Sequence, residues 1–354
     1  MKILFLPRYG PLGSSSRMRF YQFKAQFESA GIECAESPFF DDVMLQNKYK
    51  VGSYPVLELV KVYFNRVRTM LTRGQFDLIW IEKEALPWFP VWVERWLLSR
   101  KPYVMDFDDA VFHRYGMHPS FLVRFLYGRR IENLIKGARC VTAGNTYLAD
   151  WALEAGSHFV AVYPTVVDLD RYIPKVDFSV VTKPTIVWIG SPPTVKYLLE
   201  LSEPLALLNQ RCPFTLRVIG GGAISMEGVD VENIRWSDET EAAAISVCDV
   251  GIMPLHDTPW ELGKCAYKLI QYMAAGLPTV ATPVGANIDV VVDGETGFFA
   301  VSNSDWVDKL ELFLKDANLR QQFGQAGRSR VEASYSLQVI APKLINCFFE
   351  SGAK

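Results

Sequence analysis

The sequence predicts an α/β protein of two similar halves, on three observations. Short apolar strands alternate with helical stretches along the 354 residues, the pattern of parallel sheets covered on both faces. A strand, glycine-containing loop and helix open the chain at residues 2–30 and recur at residues 185–208. That opening is the first unit of a doubly wound, Rossmann-like sheet. A polar stretch with proline at both ends, residues 164–184, separates the halves and reads as a hinge.

The elements follow in order. Lys2–Leu6 (KILFL) is an apolar strand, the loop PRYGPLGSSSR follows, and a helix runs from about Met18 to Ala30. Further strands are expected at Leu78–Glu82, Tyr103–Asp106, Cys140–Ala143 and Val160–Tyr163, with helices between them. In the second half, strand Thr185–Ile189, loop Gly190–Thr194 and helix Lys196–Leu208 repeat the opening. Strands Leu216–Ile219, Ile234–Trp236, Val250–Met253 and Thr279–Ala281 come next. The end is helical, at about Trp306–Lys315, Asn318–Glu332 and Leu337–Phe349.

Bulk properties narrow the function class. A chain of this length forms two domains, each able to bury a core. Up to Thr165 there are 21 Lys and Arg against 16 Asp and Glu; beyond it there are 16 against 23. A net +5 beside a net −7 points to an anionic partner for the first half, with chance scatter as the plain alternative. Six cysteines without a CxxC pair read as buried, reduced thiols. MKILFLPRYG is too short in its apolar core for a signal peptide and reads as a first strand. No run of about 18 apolar residues lacks charges, so no spanning segment is expected. No Ser-His-Asp set, zinc spacing or P-loop occurs, and nucleic acid is not an expected partner.

The stretch PWELGKCAYKLIQYMAAGLPTVATPVG, from Pro259 to Gly285, is the most informative. It reads as loop, helix, glycine-proline turn and buried strand. Helix-start N–H groups carry partial positive charge and seat phosphate. Lys264 and Lys268 are four apart and share a face if both are helical, and Gln271 falls on that face. A diphosphate at the amides and lysines, with Gln271 on a sugar hydroxyl, is one reading. A core helix with solvated lysines is the other.

This stretch resembles the signature of the family-4 glycosyltransferases of GT-B fold, in which two glutamates eight residues apart precede a small-residue turn and GxP. Four more segments resemble the family in the expected order: VYPTVVDLDRY, TLRVIGGG, DVGIMPL and VVDGETGFFA. The resemblance implies two Rossmann-like domains facing across a cleft. It assigns 1–165 to an acceptor-binding domain, 166–184 to the linker and 185–335 to a nucleotide-sugar-binding domain. Residues 336–354 form a C-terminal helix free to pack back toward the N-domain. Gln271 matches the second glutamate, which holds the nucleotide ribose, and Gly263 falls at the first, which contacts the donor sugar. The glutamate pair is therefore not intact, and Glu261 is the candidate substitute. IGSPPTVKYL resembles the loop that grips the donor diphosphate, through Gly190, Ser191 and Lys196. The usual arginine is absent, leaving Lys196, Lys264 and Lys268 to share its task. Trp236 stands where the family places the base, and either stacks on it or is a core tryptophan. Gly13 and Ser14 resemble the glycine loop of the first domain.

Acidic residues mark the acceptor side. In KPYVMDFDDAVFHRYG, Asp106, Asp108 and Asp109 follow an apolar strand and sit at a sheet's carboxyl edge, where sites form. The resemblance places Asp108 near a histidine that borders the donor sugar. Asp108 or Asp106 then orients the acceptor hydroxyl or accepts its proton, the alternative being helix capping by Asp108 or Asp109. Asp106-Phe107-Asp108 also spells the metal-binding DxD of GT-A enzymes, a reading set aside because the string is common and lysines can neutralise a diphosphate. No metal and no cofactor are expected. Arg17 and Arg19 point to different sides of a helix, and Arg17 is the acceptor-side candidate. Glu82, Glu84 and His113 complete that set, with salt bridging to Lys83 or Arg95 as the alternative for the glutamates.

Between Tyr49 and Arg130, aromatic residues mix with lysine and arginine, a composition suited to a lipid interface. The alternative is that these helices bury their apolar faces. The expected function is transfer of a sugar from a nucleotide-diphosphate sugar to a glycan or lipid-linked acceptor, in cell-surface polysaccharide or glycolipid synthesis. The resemblance implies retention of configuration and no metal. The expected place is the cytoplasm, at the inner face of the plasma membrane. The competing readings are a non-catalytic GT-B subunit that binds nucleotide sugar, and a GT-B sugar-nucleotide epimerase.

Overall fold

The computed structural model describes residues 1–99, 101–179 and 183–352. Residues 180–182 of the expected hinge, Arg100 in the aromatic and basic stretch, and the last two residues of the C-terminal segment lie outside the described residues.

The chain divides into two compact units. Unit 1 holds residues 1–165, 263–265 and 340–354; unit 2 holds residues 166–262 and 266–339. Each contains a six-stranded, fully parallel sheet. In unit 1 the strands are β1 (Lys2–Leu6), β2 (Glu33–Glu36), β3 (Leu78–Glu82), β4 (Tyr103–Phe107), β5 (Cys140–Ala143) and β6 (Val160–Val162). Their order is β2-β1-β3-β4-β5-β6. In unit 2 they are β7 (Thr185–Ile189), β8 (Thr215–Ile219), β9 (Asp230–Ile234), β10 (Val250–Met253), β11 (Thr279–Ala281) and β12 (Gly297–Phe299). The order there is β12-β11-β10-β7-β8-β9. In both sheets the chain first winds to one side and then to the other. The switch lies between β1 and β3 in unit 1 and between β7 and β10 in unit 2, where open α/β sheets form sites.

The apolar runs explain the strands. Every residue of β3, β4 and β5 is buried, as expected where helices cover both faces. Trp80 of β3 anchors one face, with Phe5, Phe20, Phe27 and Phe348 around it at ring-centroid distances of 4.1–5.7 Å. Burying a side chain of this kind is worth about 1.5–3 kcal/mol. Phe348 lies on the long C-terminal helix Leu337–Gly352, whose last part thus completes the core of unit 1.

Several elements differ from expectation. The first helix is broken into Ser14–Arg19, a tight turn Tyr21–Phe23 and Lys24–Ser29. The helix expected over 196–208 is two pieces, Val195–Leu199 and Ser202–Arg211. Trp236 lies beyond its strand, because β9 ends at Ile234. The half-exposed edge strand β2 escapes a search for apolar runs. Within VVDGETGFFA the structure has β12, parallel to β11, a strand not among those expected.

Candidate functional site

Unit 1 gathers charge at its switch point. Glu82, the last residue of β3, is buried and fully engaged. Its Oε2 accepts from the Arg8 amide at 2.7 Å and the Ser16 hydroxyl at 2.5 Å, and its Oε1 lies 2.8 Å from Ser15 Oγ. Lys83 follows with φ +62°, a left-handed backbone that strains an L-residue. Its ammonium stands 2.7 Å from Asp108 Oδ1, 3.3 Å from Asp109 Oδ2 and 3.1 Å from Ser15 Oγ. Ser15 also donates to Asp108 Oδ2 through a short hydrogen bond. Burial alone would push the Asp108 carboxyl up. The Lys83 ammonium and the Ser15 hydroxyl outweigh it and hold the group down at about 2. Asp109 also pairs with Lys264 at 2.7 Å.

The other acids of this region are structural. Asp106, fully buried, takes two parallel N–H bonds from Arg19 at 2.9 and 2.6 Å and a third hydrogen bond from Thr142. The Asp106 candidate is thus bonded to internal partners. Arg19 is likewise committed, and Arg17 donates to the Pro11 carbonyl at 3.3 Å. Glu84 is buried among Arg130 (2.9 Å), Tyr115 (2.8 Å) and Arg8 (3.3 Å). Both glutamates are buried, and their partners are mainly Arg8, Arg130, Ser15 and Ser16; of the two expected ion-pair partners, Lys83 lies 3.8 Å from Glu82. His113 hydrogen-bonds the Tyr147 hydroxyl at 2.7 Å, and burial lowers its pKa. Capping does not occupy Asp108 or Asp109 either, because helix Val111–Gly116 starts at Ala110 without a side-chain cap. Gly13 precedes helix Ser14–Arg19 where a Cβ would fall 2.3 Å from Tyr9 Cβ, while Ser14 is exposed.

Unit 2 places its candidates around its own switch point. After β7, Gly190 donates its N–H to Ile219 O at 2.9 Å. A Cβ there would meet the Trp188 ring at 2.5 Å. Gly220, with φ +79°, has no room for a Cβ either, since the Gly190 carbonyl is 2.7 Å from that position. Two glycines thus bring two loops together. Ser191 opens the turn Pro192–Thr194 and is exposed, as is Lys196. Lys268 lies 4.5 Å above the Trp188 ring, a cation–π contact that sets its ammonium beside the Gly190 loop. Glu261 is nearly buried and accepts short hydrogen bonds from Tyr197 and Thr258. Burial opposes its ionisation, but these two hydroxyls prevail and keep its carboxyl below the usual range.

The helix of the signature stretch is Tyr267–Ala274, stopped by Gly276 at φ +73° with Leu277 N donating to Tyr272 O. This is a Schellman-type stop. Because the helix starts only at Tyr267, Lys264 is not helical and does not share a face with Lys268, which corrects that expectation. Lys264 belongs to unit 1, where Asn145 also binds its carbonyl. Gln271 is buried and donates one of its two amide N–H groups to the Tyr172 hydroxyl at 2.9 Å. Trp236 donates to Glu241 at 2.6 Å. Ser15, Lys83, Tyr197, Tyr172 and Glu241 were not among the candidates. The triple serine at 14–16 and the lysine within IEKEA were the only sequence signals for two of them. Among the described residues no cluster of His, Cys, Asp and Glu has the form of a metal site.

Residues 183–316 match the family model described as glycosyl transferases group 1. A phosphatidyl-myo-inositol mannosyltransferase of Mycobacterium leprae is 26% identical over 84% of this chain and 79% of its own length. The capsular polysaccharide biosynthesis glycosyltransferase CapM of Staphylococcus aureus is 40% identical, over 21% of this chain and 20% of its own; the chain thus spans about a fifth of that relative. Among solved structures, Anabaena HepE in complex with UDP-glucose superposes with a TM-score of 0.73 at 15% identity, covering 99% of this chain and 100% of that one. Sucrose-phosphate synthase from Thermosynechococcus elongatus gives 0.71 at 14%, covering 99% and 98%. These structural likenesses are of fold. Together with the sequence match they make the chain a glycosyltransferase of the GT-B type.

Proposed function

We propose that the protein transfers a sugar from a nucleoside-diphosphate sugar to a glycan or lipid-linked acceptor, as a family-4-type enzyme acting with retention and without metal. The observation that carries this reading is the family match over 183–316, the stretch that holds Gly190, Glu261 and Lys268. Unit 2 takes the donor. The Gly190 and Gly220 loops receive the diphosphate, with Ser191, Lys196 and Lys268 supplying hydrogen bonds and charge. Glu261 meets the donor sugar in place of the glutamate absent at Gly263. Trp236 borders the base, and Gln271 acts near the ribose through Tyr172. On the acceptor side Asp108 remains the candidate, with Asp109 beside it. In the step, the acceptor oxygen attacks the anomeric carbon from the leaving-group face as the bond to the diphosphate breaks. The hydroxyl proton passes to the departing diphosphate oxygen. The protein orients and stabilises charge rather than forming a covalent intermediate.

The named relatives support a lipid-linked or surface-polysaccharide acceptor, since one acts on phosphatidyl-myo-inositol and another in capsular polysaccharide biosynthesis. Unit 1 adds a second support. Val56, Leu57, Val60 and Phe64 are exposed on helix Val56–Leu71, and Trp92 and Trp96 on helix Val91–Leu98. Phe121, Leu122, Phe125 and Leu126 are exposed on helix Phe121–Tyr127, which has no buried residue. Apolar side chains left outside the core beside Lys61, Arg68, Arg95 and Arg124 suit the inner face of an anionic membrane. Among the described residues no helix is long and apolar enough to cross one.

Thermal denaturation with UDP-, GDP- and dTDP-sugars tests the donor reading. One class should raise the unfolding midpoint, because a ligand at a hundredfold its Kd stabilises by about 2.7 kcal/mol. Lys268→Ala should weaken that shift, and Asp108→Ala should leave it while lowering transfer. No shift with any donor sinks the proposal. A shift without sugar release or transfer would favour the non-catalytic subunit.

A further inference from the structure

Lys83 is the least expected residue of unit 1. The turn after β3 closes with a hydrogen bond from Glu84 N to Glu82 O at 2.6 Å, across Lys83 at φ +62°. An i to i+2 bond around a residue with positive φ is a rare and strained γ-turn. Left-handed backbone at a non-glycine residue costs roughly 1–3 kcal/mol and persists where the surroundings over-determine it. Here they do. The Lys83 N–H donates to Asp106 O at 2.9 Å. The side chain is 8% exposed, and its ammonium reaches Asp108, Asp109 and Ser15, with Glu82 Oε1 at 3.8 Å.

The proton count around Ser15 shows what the ammonium does. Ser15 Oγ lies within hydrogen-bond range of both Glu82 Oε1 and Asp108 Oδ2, but a hydroxyl has one proton to give. Glu82 already receives the Ser16 hydroxyl and the Arg8 amide, so the Ser15 proton is available to Asp108. With Glu82 and Asp108 flanking one serine, two like charges would share a nearly dry site, and one would be driven to take a proton. A cation placed beside them opposes this most strongly. Arg19 faces the group from helix Ser14–Arg19 but is bonded to Asp106. Lys264 is bonded to Asp109, and the Cys265 thiol meets the Asp108 carbonyl rather than its carboxylate. Among the ion pairs of the described residues, the one that reaches the Asp108 carboxylate is with Lys83.

We propose that Lys83 is a positioning residue that locks Asp108 as a carboxylate and aims the Ser15 hydroxyl at it, so that Asp108 receives a hydrogen bond from the acceptor hydroxyl without removing its proton. The functional half of this rests on the acceptor-side role given to Asp108 above. It also predicts where the proton goes. A carboxylate held this firmly ionised is a poor general base at neutral pH, which leaves the departing diphosphate to take it.

The test reads Asp108 directly and then the reaction. Carbon-13 spectra of aspartate-carboxyl-labelled protein are recorded against pH, with the Asp108 signal identified by its loss in Asp108→Asn. In the native chain the signal should stay at its carboxylate position down to the acid limit of folding. In Lys83→Met it should titrate about two pH units or more higher, at or above the ordinary aspartate value of about 3.9. Lys83→Arg should restore the native behaviour. With the donor found by the thermal panel, Lys83→Met should gain an acid limb in its pH–rate profile that the native and Lys83→Arg proteins lack. An Asp108 signal unmoved in Lys83→Met overturns the proposal. If Lys83→Met does not fold, Ser15→Ala decides. Asp108 should stay ionised there, and a return to an ordinary aspartate titration would assign the hold to serine and overturn the role of lysine. Should no donor be transferred by the native protein, the transferase reading fails while the carboxyl titration still tests Lys83.

Discussion

At Asp106, Arg19 supplies two parallel N–H donors and Thr142 a hydroxyl, with both charged side chains sealed from water. Two residues on, Asp108 keeps 12% of its side chain exposed and faces Lys83 and Ser15 instead. The first carboxylate is closed off from a substrate by burial; the second keeps an exposed edge. Removing one partner of a buried pair leaves a bare charge and costs about 3–5 kcal/mol. Arg19→Leu should therefore lower the denaturant midpoint strongly, and the double variant Arg19→Leu with Asp106→Leu should be less damaging than the single. A single-variant loss below about 1 kcal/mol would mean that the pair is solvated. Asp108 also sets a pH dependence. Its folded value is depressed to about 2 from an unfolded value of about 3.9. Its stabilising contribution is thus complete above the unfolded value and is lost as the pH falls toward 2.

Helices and turns carry the next layer. Helix Tyr267–Ala274 is short, buries six consecutive residues and depends on its ends. Ala266 enters it at φ +51° and Gly276 leaves it at φ +73°. Helix Ala317–Ser334 packs onto that exit. At Gly324 a Cβ would fall 2.0 Å from the Gly276 carbonyl oxygen, which is backbone and cannot step aside. Gly324→Ala should cost about 1–3 kcal/mol by overpacking and lower the thermal midpoint. Gly74→Ala, with no described atom within 4 Å, serves as the neutral control, and equal midpoints for the two variants would contradict this packing. Caps elsewhere were written locally. Asp41, Asn145 and Asp316 each accept from a backbone N–H three residues on, and Ser302 with Asp305 forms a full capping box. Such motifs are legible in sequence because both partners lie within one turn.

For the molecule as a whole, the proposed membrane contact is the feature most open to direct test. The native protein should co-sediment with phosphatidylcholine vesicles containing phosphatidylglycerol more than with phosphatidylcholine alone. Added salt should weaken the binding, because the basic side chains act through screened charge. Phe121→Ser combined with Phe125→Ser should reduce it several-fold. Absence of binding to either vesicle would remove the contact. Strands β1, β3, β5, β7, β10 and β11 stand where their apolar runs predicted them, since a strand buried on both faces announces itself in consecutive residues. The glycines of the Gly190 and Gly220 loops were legible for a similar reason: a turn with no room for a side chain needs glycine at that very position. Which acids are free was not legible. Arg19 meets Asp106 across 87 residues of chain, and Arg130 meets Glu84 across 46. Periodicity and spacing describe neighbours in sequence, whereas ion pairing in a dry interior follows neighbours in space. By itself the sequence determined two parallel sheets, their glycine loops and the signature helix. The tertiary structure alone decided that Asp106, Glu82 and Glu84 are committed to internal bonds, that Gln271 meets Tyr172, and that a strained lysine stands over Asp108.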